Sequence, residues 1–451
     1  MALDNVGNIY VTGFSQNTNT NLGYVTIKYA PNGKQLWAAR YDDTNYPTAT
    51  PSGFALDNSN NVLVTGNALT IKYDTNGNQL WTAPYDGAAI AVDLGGDSIV
   101  TGYGAGFNTT KLSPNGSNLW SISYVSPQGG VVSQALVVDK SGNSYVAGED
   151  TYVCYQDGSF QQCNAGLLTV KYDQNGNQLW INIPETGLTY QVAGIAVDSM
   201  YNFYVAYNGY NQPWYIAAYG SDGSQEWIAF LGSGPVNGLA LDNRNNVISV
   251  GQDAYALNAS NPYNSYVSGY TTVKINSAGS AIWSSDYSQA PVGSSAATSI
   301  AVDSANNSYV TGYCPGANGT NDVLTIKYDQ NGNQIWLQRY SSPSGGNAAG
   351  NAIAVDNNGN VYVTGYDTTA AGGTEIVTIK YSPVTVQHRS DGTVILQAQG
   401  SPGESFDIEA STDLLNWLDL GSVLADTNGL MQFDDTNAPA YPSRFYYTKP
   451  Q

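Results

Sequence analysis

Apolar and polar residues alternate along most of the chain in short runs. The run Asn360-Val361-Tyr362-Val363-Thr364-Gly365 is one example, and similar runs recur throughout. A period of two predicts a β-strand with one buried face, because successive side chains point to opposite sides of the pleat. Between the runs lie pairs such as Asn331-Gly332 and Asp222-Gly223, which are typical of hairpin turns. The pattern therefore predicts an all-β protein of short antiparallel strands.

One set of four strands is repeated along the chain. Each copy has a small apolar run ending in Asp, an alternating strand ending in Gly, a strand like Thr-Ile-Lys-Tyr, and a strand that carries Trp. The Asp recurs at Asp4, Asp57, Asp93, Asp139, Asp198, Asp242, Asp303 and Asp356. Its spacing averages about 50 residues, which is the size of a propeller blade. Residues 1–383 are therefore predicted to form an eight-bladed β-propeller.

The eighth repeat is incomplete. The Trp strand occurs in seven copies, at Trp37, Trp81, Trp120, Trp180, Trp227, Trp283 and Trp336. After Tyr381 the sequence leaves the pattern, so we expect the last blade to lack its own outer strand and to expose an edge. The residues of this predicted assembly edge are Val377, Thr378, Ile379, Lys380 and Tyr381.

Exposed strand edges recruit other strands. Three sources are open for this one: residues 384–390 folding back, a segment upstream of the chain, or a strand from another copy. A strand from another copy would make a head-to-tail contact, which builds a filament unless the rotation closes it.

Residues 384–451 follow a different pattern. Strand candidates separated by polar turns lie at 393–398, 405–410, 415–417, 431–433 and 444–447. Strands in so short a segment predict a small C-terminal β-sandwich.

The ordered motifs Ala-Val-Asp, Tyr-Val-Thr-Gly, Thr-Ile-Lys-Tyr, Asn-Gly and Trp resemble the bacterial β-propeller repeat family called SBBP. The segment from Ala410 to Trp417, with Arg444 to Tyr447, resembles the fibronectin-like modules that end many secreted bacterial surface proteins. These resemblances imply an extracellular or cell-surface location and a scaffold or adhesion role, and they supply no catalytic residues. Because Met1 already falls inside a predicted strand, we expect any export signal to lie outside this chain.

Charge and hydropathy narrow the expected partners. The net charge is −20, from 15 basic and 35 acidic residues, which disfavours nucleic acid and anionic membrane surfaces. No apolar stretch approaches the roughly 18 residues of a membrane span, so membrane insertion is not expected. The remaining partners are other copies of the chain, other surface proteins and extracellular glycans.

The sequence offers little for catalysis. Its single histidine, His388, lies in the terminal module, which excludes a Ser-His-Asp system or a multi-histidine metal site in the propeller. Glu149-Asp150, Glu185 and Glu375 lie in separate repeats, with no sequence reason to converge. We therefore expect no enzyme activity, no cofactor and no metal.

Two repeated charged positions are interpreted as structural. Each repeated Asp precedes an Asn/Gly-rich turn, where a carboxylate accepts backbone N–H groups; a cation-binding ring of aspartates is the alternative. Seven lysines share one position in the third strand: Lys28, Lys72, Lys111, Lys171, Lys274, Lys327 and Lys380. The first and third strands are parallel, so the sequence predicts an ion pair between this Lys and the Asp of each repeat.

Repeat five departs from the consensus. Tyr207 replaces a Gly, Ala218 replaces the Lys, and Tyr210, Trp214 and Tyr215 add further aromatic rings. Aromatic faces suit sugar rings or a protein partner, so Tyr207, Tyr210, Trp214 and Tyr215 are the candidate ligand-binding residues. A glycan-binding propeller is accordingly the alternative function, and extra packing between blades is the competing explanation of these aromatics.

Three cysteines complete the candidate chemistry. Cys154 and Cys163 flank a predicted turn at Gln156-Asp157-Gly158, and we predict a disulfide between them, with two free thiols as the alternative. Cys314 is left without a predicted partner.

Overall fold

The computed structural model describes the chain outside a set of short gaps. The gaps are residues 44, 103–105, 127–129, 158–159, 184–188, 210–212, 257–265, 288–294, 317, 383–384, 400–402, 404, 413–415, 428–429 and 451. The described residues are almost entirely β-strand, and a short 3-10 helix spans Ala438–Ala440. The all-β class predicted from the sequence is confirmed. None of the described helical structure is long and apolar enough to cross a membrane.

Eight antiparallel sheets follow one another along residues 2–381, and we number them sheets 1 to 8 in chain order. Sheet 1 contains β1 (Ala2–Leu3), β2 (Ile9–Gln16), β3 (Leu22–Tyr29) and β4 (Gln35–Tyr41), and sheet 2 contains β5 (Pro51–Leu56), β6 (Val62–Gly66), β7 (Thr70–Tyr73) and β8 (Gln79–Ala83). Sheet 3 contains β9 (Ala89–Val92), β10 (Ser98–Gly102), β11 (Phe107–Leu112) and β12 (Asn118–Tyr124), and sheet 4 contains β13 (Val131–Val138), β14 (Ser144–Asp157), β15 (Phe160–Tyr172) and β16 (Gln178–Asn182). Sheet 5 contains β17 (Thr189–Val197), β18 (Phe203–Gly209), β19 (Trp214–Tyr219) and β20 (Gln225–Gly232), and sheet 6 contains β21 (Val236–Leu241), β22 (Val247–Ala256), β23 (Tyr266–Ile275) and β24 (Ala281–Tyr287). Sheet 7 contains β25 (Ala296–Val302), β26 (Ser308–Pro315), β27 (Asn321–Tyr328) and β28 (Gln334–Tyr340), and sheet 8 contains β29 (Ala348–Val355), β30 (Val361–Thr368) and β31 (Thr374–Tyr381). Neighbouring strands in each sheet follow chain order, with four strands in sheets 1 to 7 and three in sheet 8.

The repeated Asp closes the turn between the first and second strands of each sheet. Asp356 shows the arrangement: its Oδ1 accepts the backbone N–H groups of Asn358 and Asn360, each at 2.9 Å, and its Oδ2 accepts the Asn360 side-chain amide at 2.7 Å. The same three bonds recur at Asp4, Asp57, Asp139, Asp198, Asp242 and Asp303. The turn-closing role predicted for these carboxylates is confirmed.

A tryptophan in the outer strand joins each of the first six sheets to the next. In sheet 1 the Trp37 Nε1–H donates to the backbone carbonyl of Thr75, in the outer turn of sheet 2, at 2.9 Å. The indole also covers Gly77 of that turn so closely that a Cβ there would lie 2.8 Å from the ring. Equivalent bonds of 2.8–3.3 Å follow from Trp81, Trp120, Trp180, Trp227 and Trp283. We call this contact the tryptophan lock.

The tryptophan lock explains why the outer turns carry Asn-Gly or similar pairs. Gly77 has a φ of +87°, a conformation that glycine adopts without steric cost, and it also leaves room for the neighbouring indole. Both requirements act on the same residue, so the turn glycine of each of sheets 2 to 7 both forms the turn and accommodates the tryptophan of the preceding sheet.

Sheet 8 contacts sheet 1 and so brings the two ends of the series together. The Lys380 Nζ donates to the backbone carbonyl of Pro31, in the outer turn of sheet 1, at 3.1 Å. Tyr362 of sheet 8 packs with Ile9 and Val11 of sheet 1 in one buried cluster.

The residues after sheet 8 form two further antiparallel sheets of three strands each. Their strands, in the order in which they pair, are β32 (Thr385–His388), β33 (Val394–Gln399) and β36 (Leu430–Asp435), and then β35 (Leu418–Leu424), β34 (Ser405–Ser411) and β37 (Phe445–Pro450). Leu396 and Met431 of one sheet share a buried cluster with Phe406 and Ile408 of the other. The two sheets therefore enclose one hydrophobic core.

Removing one tryptophan lock should destabilise the protein far more than removing an exposed neighbour. We expect Trp283→Ala to lower the free energy of unfolding by about 2 kcal/mol, because the indole is partly buried and holds a bond to the next sheet. Ile282 is 48 % exposed, and Ile282→Ala should change the stability by no more than about 0.5 kcal/mol. Thermal and denaturant unfolding of both variants measures the difference; equal losses would contradict the lock.

Candidate functional site

The outer edge of β31 is the feature that sets sheet 8 apart. β31 pairs with β30 along its whole length, from Val361 opposite Tyr381 to Thr368 opposite Thr374. Its counterpart in sheet 7, β27, pairs with β26 on one side and with β28 on the other. Among the described residues no strand pairs with the second side of β31. The five residues named from the sequence, 377–381, lie on this edge.

The burial of side chains also differs between β31 and β27. Most residues of β27 are fully buried, whereas none in β31 is, and Thr374 and Glu375 are exposed. The difference arises because β28 covers β27, while β31 has no equivalent cover in the described part of the chain.

The described part of the segment after sheet 8, residues 385–390, does not pair with this edge. β32, which begins at Thr385, pairs with β33 in the register Thr385 opposite Gln397. Folding back, one of the three strand sources considered from the sequence, is therefore not seen for the described residues of this segment, in which Thr385–His388 pair within the terminal module.

The lysine and aspartate of the repeat form a direct ion pair in three sheets. Lys72 lies 2.8 Å from Asp57, and the pairs Lys111–Asp93 and Lys274–Asp242 have the same distance. In each of these sheets the residue opposite the lysine on the second strand is aliphatic: Leu63, Ile99 or Ile248. Burial alone would raise the pKa of Asp57, but bonds from Lys72 and Asn61 outweigh it and hold that pKa below its usual value.

A tyrosine takes the place of the direct ion pair in four other sheets, so the prediction of one pair in every repeat is wrong. Tyr145 shows the arrangement: its hydroxyl donates to Asp139 Oδ2 at 3.1 Å, and the Lys171 Nζ lies 4.6 Å above its ring. Tyr10, Tyr309 and Tyr362 repeat it with Lys28, Lys327 and Lys380. Because the tyrosine is opposite the lysine in register, its ring fills the space between the two charges.

The aromatic residues of repeat five divide into a buried and a partly exposed group. Trp214 is 0 % exposed, and its Nε1–H donates to Ser249 of sheet 6 at 3.2 Å. A fully buried indole cannot stack on a sugar ring, so Trp214 is removed from the candidate ligand-binding set. It packs between sheets 5 and 6 instead.

A row of three aromatic rings crosses sheet 5. Tyr207 stacks on Tyr215 with ring centroids 5.4 Å apart, and Tyr215 lies 5.5 Å from Phe230, which is 61 % exposed. Burial raises the pKa of Tyr207 to about 12. Phe230 was not among the candidates predicted from the sequence. Other repeats carry polar residues such as Arg40 and Asp286 at this position, so a phenylalanine there is a departure from the repeat that the sequence does contain. Tyr210 lies outside the described residues.

The backbone places Cys154 directly opposite Cys163 in the long hairpin of β14 and β15. Their side chains lie outside what the structure describes, so the disulfide stays a prediction. Cys314 is a buried free thiol in sheet 7, and burial raises its pKa to about 11. A thiol with so high a pKa is protonated near neutral pH and is a poor nucleophile.

Candidate catalytic groups are dispersed where the structure describes them. Glu149 is buried and accepts a bond from the Gln134 amide at 2.7 Å; burial raises its pKa. Within the described ranges, no group of three or more His, Cys, Asp or Glu side chains is placed to hold a metal ion. Glu185 lies outside the described residues.

The two lysine environments should give opposite pKa shifts. Burial lowers the pKa of Lys171, over the Tyr145 ring. Burial would also lower that of Lys111, but bonds from Asp93 and Asp97 outweigh it and raise the pKa. An NMR titration, with assignments from Lys171→Met and Lys111→Met, should show Lys171 losing its proton at the lower pH. The reverse order would contradict the two environments.

The same shifts predict opposite effects on stability at high pH. Lys111 binds its proton more tightly when folded, so its stabilising contribution is fully present below the unfolded pKa of about 10.4 and is lost as the pH rises through the higher folded pKa. Lys171 binds its proton less tightly when folded, so its burial costs stability below the folded pKa, and that cost is removed as the pH rises from the folded to the unfolded pKa.

We expect Cys154 and Cys163 to be oxidised to each other in protein purified without reductant, since directly opposed strand residues bring their Cβ atoms close. Alkylation followed by peptide mass analysis should leave both thiols unmodified until reductant is added. Full alkylation before reduction would contradict the disulfide.

Comparisons with known proteins agree with this architecture. The model of the beta-propeller repeat family SBBP matches residues 335–366, which run from β28 to β30. Sqt1 from Chaetomium thermophilum is similar with a TM-score of 0.54 and 8 % identity, covering 82 % of this chain and 92 % of that one. The C-terminal WD40 domain of Sif2 gives 0.53 and 10 %, covering 84 % and 98 %.

The Dos1 propeller is also similar, with a TM-score of 0.51 and 11 % identity over 82 % of this chain and 94 % of that one. No curated protein matches the chain. At such low identities the likeness to solved structures shows the fold alone. The chain therefore has a β-propeller fold, and part of it is similar to the SBBP repeat.

Proposed function

We propose that the chain is a non-catalytic scaffold or adhesion protein of the extracellular space or cell surface. Its architecture in this proposal is an eight-bladed propeller over residues 1–383, with the last blade lacking its outer strand, followed by a fibronectin-like β-sandwich over residues 384–451. The eight successive sheets and the contact of Lys380 with Pro31 support the closed eight-bladed ring.

The observation that carries the proposal is the one-sided pairing of β31 among the described residues. Unpaired backbone N–H and C=O groups along a strand edge are a template for another strand. A strand added there from a second copy makes a heterologous contact, and repetition of that contact gives a head-to-tail filament.

Charge and composition support the location. A chain with few charged residues and a net charge of −20 has little affinity for nucleic acid, and the motifs resemble those of secreted bacterial proteins. The dispersed carboxylates and the protonated Cys314 give no support to a catalytic role.

Self-assembly through β31 should appear in analytical ultracentrifugation over a range of protein concentrations. We expect the wild-type chain to form species larger than a monomer as concentration rises, and Thr378→Pro, in the middle of the edge, to remain monomeric because proline removes a backbone donor. Thermal unfolding of the variant checks that it is folded. A wild-type chain that stays monomeric at every concentration would reject filament formation.

One observation favours glycan binding as the second candidate function. The row of Tyr207, Tyr215 and Phe230 offers an aromatic face that ends in an exposed ring.

If this face binds sugars, Phe230→Ala should abolish signals on a glycan array, whereas a substitution of the buried Trp214 should affect binding only through stability. No binding to any sugar, or binding unchanged in Phe230→Ala, would reject this function.

A further inference from the structure

Sheet 3 departs from the repeat on its third strand. The residue just before the repeat lysine, or before Ala218 in sheet 5, is apolar in seven sheets: Ile27, Ile71, Val170, Ala217, Val273, Ile326 and Ile379. In sheet 3 that residue is Thr110. Two positions earlier, where sheets 4 and 7 carry Leu168 and Leu324, sheet 3 carries Asn108. Both positions are polar in sheet 3 and in no other sheet.

The register of sheet 3 places four polar side chains together on one face. Thr110 is opposite Ser121 and Asn108 is opposite Ser123, and directly opposed residues of antiparallel strands share a face. On its other side Thr110 is opposite Val100, which belongs to a buried cluster with residues of sheet 2. The polar face of sheet 3 is therefore turned towards sheet 2.

A cavity of about 270 Å³ lies over this face. The four polar residues and Val100 form one wall, and Tyr85 and Asp86, which follow β8 of sheet 2, form the other. Ser121 and Ser123 are exposed, so the cavity opens to solvent beside β12. Its volume is just below the range of roughly 300–1,000 Å³ that holds drug-sized ligands, which suits one small ring-shaped molecule.

Backbone acceptors hold the wall that comes from sheet 2. The Thr70 hydroxyl donates to the Tyr85 carbonyl at 2.7 Å. Just beyond Asp86, the Ala88 N–H donates to the Thr101 carbonyl of sheet 3, also at 2.7 Å. These bonds tie the segment to both sheets on either side of Asp86, so a fixed backbone presents the carboxylate.

Side-chain hydrogen bonds join this wall to sheet 3. The Asn118 amide donates to the Tyr85 hydroxyl at 2.7 Å and to the Ser121 Oγ at 2.6 Å. The hydroxyl groups of Ser121 and Thr110 lie 3.0 Å apart. A ligand therefore meets a polar surface that is already arranged, which lowers the entropy cost of binding.

Asp86 gives the cavity its electrostatic character. It is the only carboxylate among the described lining residues, and it is half-buried. Burial raises the pKa of this carboxyl group. A partly buried carboxylate needs hydrogen-bond donors, whereas the hydroxyl groups of Thr110 and Ser121 and the Asn108 amide can both donate and accept. The complementary ligand is one that carries several hydroxyl groups.

From the departure of sheet 3, the cavity and its polar lining, we infer that this cavity binds one neutral sugar ring, either free or at the end of a glycan. Hydroxyl groups of the ring donate to Asp86 and exchange hydrogen bonds with Asn108 and Thr110. Tyr85 provides an aromatic side chain against the C–H groups of the ring. The site is separate from the aromatic row of sheet 5, and it goes beyond the proposed scaffold role.

Other small ligands match the cavity less well. A calcium ion takes six to eight oxygen ligands, several of them carboxylates, and the described lining offers one carboxylate. An acidic sugar would bring a second negative charge beside Asp86, which is unfavourable in partly buried surroundings. A neutral sugar avoids both problems.

Saturation-transfer NMR with a panel of sugars tests the cavity. The probes are glucose, galactose, mannose, N-acetylglucosamine and fucose, each as the free sugar and as its methyl glycosides, with glucuronic acid as the acidic comparison. The full chain carries Phe230→Ala, which removes the exposed ring of the sheet 5 row and keeps that candidate site from contributing. We expect saturable binding of at least one neutral sugar and none of glucuronic acid. Binding of no neutral sugar, or equal binding of glucuronic acid, overturns the inference.

Three variants of the lining place the binding in this cavity. Asn108→Leu introduces the residue that sheets 4 and 7 carry and fills the space, whereas Asp86→Asn and Thr110→Val remove a charge or a hydroxyl with little change of shape. Sugar binding should weaken at least about tenfold in Asn108→Leu and Asp86→Asn and at least about threefold in Thr110→Val. Thermal unfolding shows which variants are folded. Unchanged binding in any folded variant of the three overturns the inference.

Thr109→Val is the matched control for Thr110→Val. Thr109 is the next residue on the same strand and lies on the opposite face of the sheet. It is 0 % exposed, and its Oγ1 has no hydrogen-bond partner among the described residues. Thr109→Val should therefore leave both sugar binding and the melting temperature unchanged. Equal loss of binding in the two variants would show a general effect on the sheet and would overturn the assignment to this cavity.

The remaining probes identify the occupant. A free sugar that binds while its methyl glycosides do not indicates a site for free sugars, whereas binding of a methyl glycoside indicates the end of a glycan; both results support the sugar ring. Binding of n-butylamine in place of every sugar would assign the cavity to an amine and overturn the inference. Because every protein in the experiment lacks the Phe230 ring, the result is independent of glycan binding at sheet 5, and it does not depend on assembly through β31.

Discussion

The contact between an outer-strand tryptophan and the glycine turn of the next sheet sets how successive sheets are joined. Trp37 supplies a hydrogen bond to the Thr75 carbonyl and a ring that lies against Gly77, so one side chain fixes both the distance and the direction of the neighbouring sheet. Because the contact repeats with nearly the same geometry, small variations in sequence between the sheets are tolerated elsewhere. Sheet 5, for example, keeps Trp227 while losing the lysine at Ala218.

The way in which the aspartate of a sheet is paired with the lysine depends on the side chain that the second strand places beside them. Where the second strand carries Leu63, the Lys72 Nζ reaches Asp57 directly. Where it carries Tyr145, the phenol donates to the carboxylate and the lysine lies over the ring. Both solutions satisfy a buried carboxylate, which is the requirement that low-polarity surroundings impose. Seven of the eight sheets therefore keep a lysine near the aspartate, either in direct contact or over a tyrosine ring, whereas in sheet 5 Tyr204 donates to Asp198 without a lysine.

The sequence predicted the features that are encoded within one repeat. The strands, the Asp-closed turns and the missing eighth Trp strand all follow from short motifs, and Asp356 and its turn partners needed no information from other sheets. Features that depend on two sheets were not predictable. In the sequence, Trp214 is one of several aromatic residues in repeat five. Only its position against Ser249 of sheet 6 shows that it is a packing residue. Phe230 was missed for a different reason, since its position beside Tyr215 depends on the register between β19 and β20 within sheet 5.

The outer turn of sheet 1 shows another feature that only a comparison between sheets reveals. A single empty space beside a glycine carries little meaning, since several exposed turns have one. At Gly33 the meaning comes from six other turns in the same molecule, in which the corresponding space holds an indole. The Lys380 Nζ nevertheless donates to the Pro31 carbonyl, which is the lysine half of the contact seen in the other outer turns. The described link between these two sheets therefore consists of this lysine bond and the buried cluster of Tyr362 with Ile9 and Val11, whereas each of the first six sheets is also linked to the next by a tryptophan.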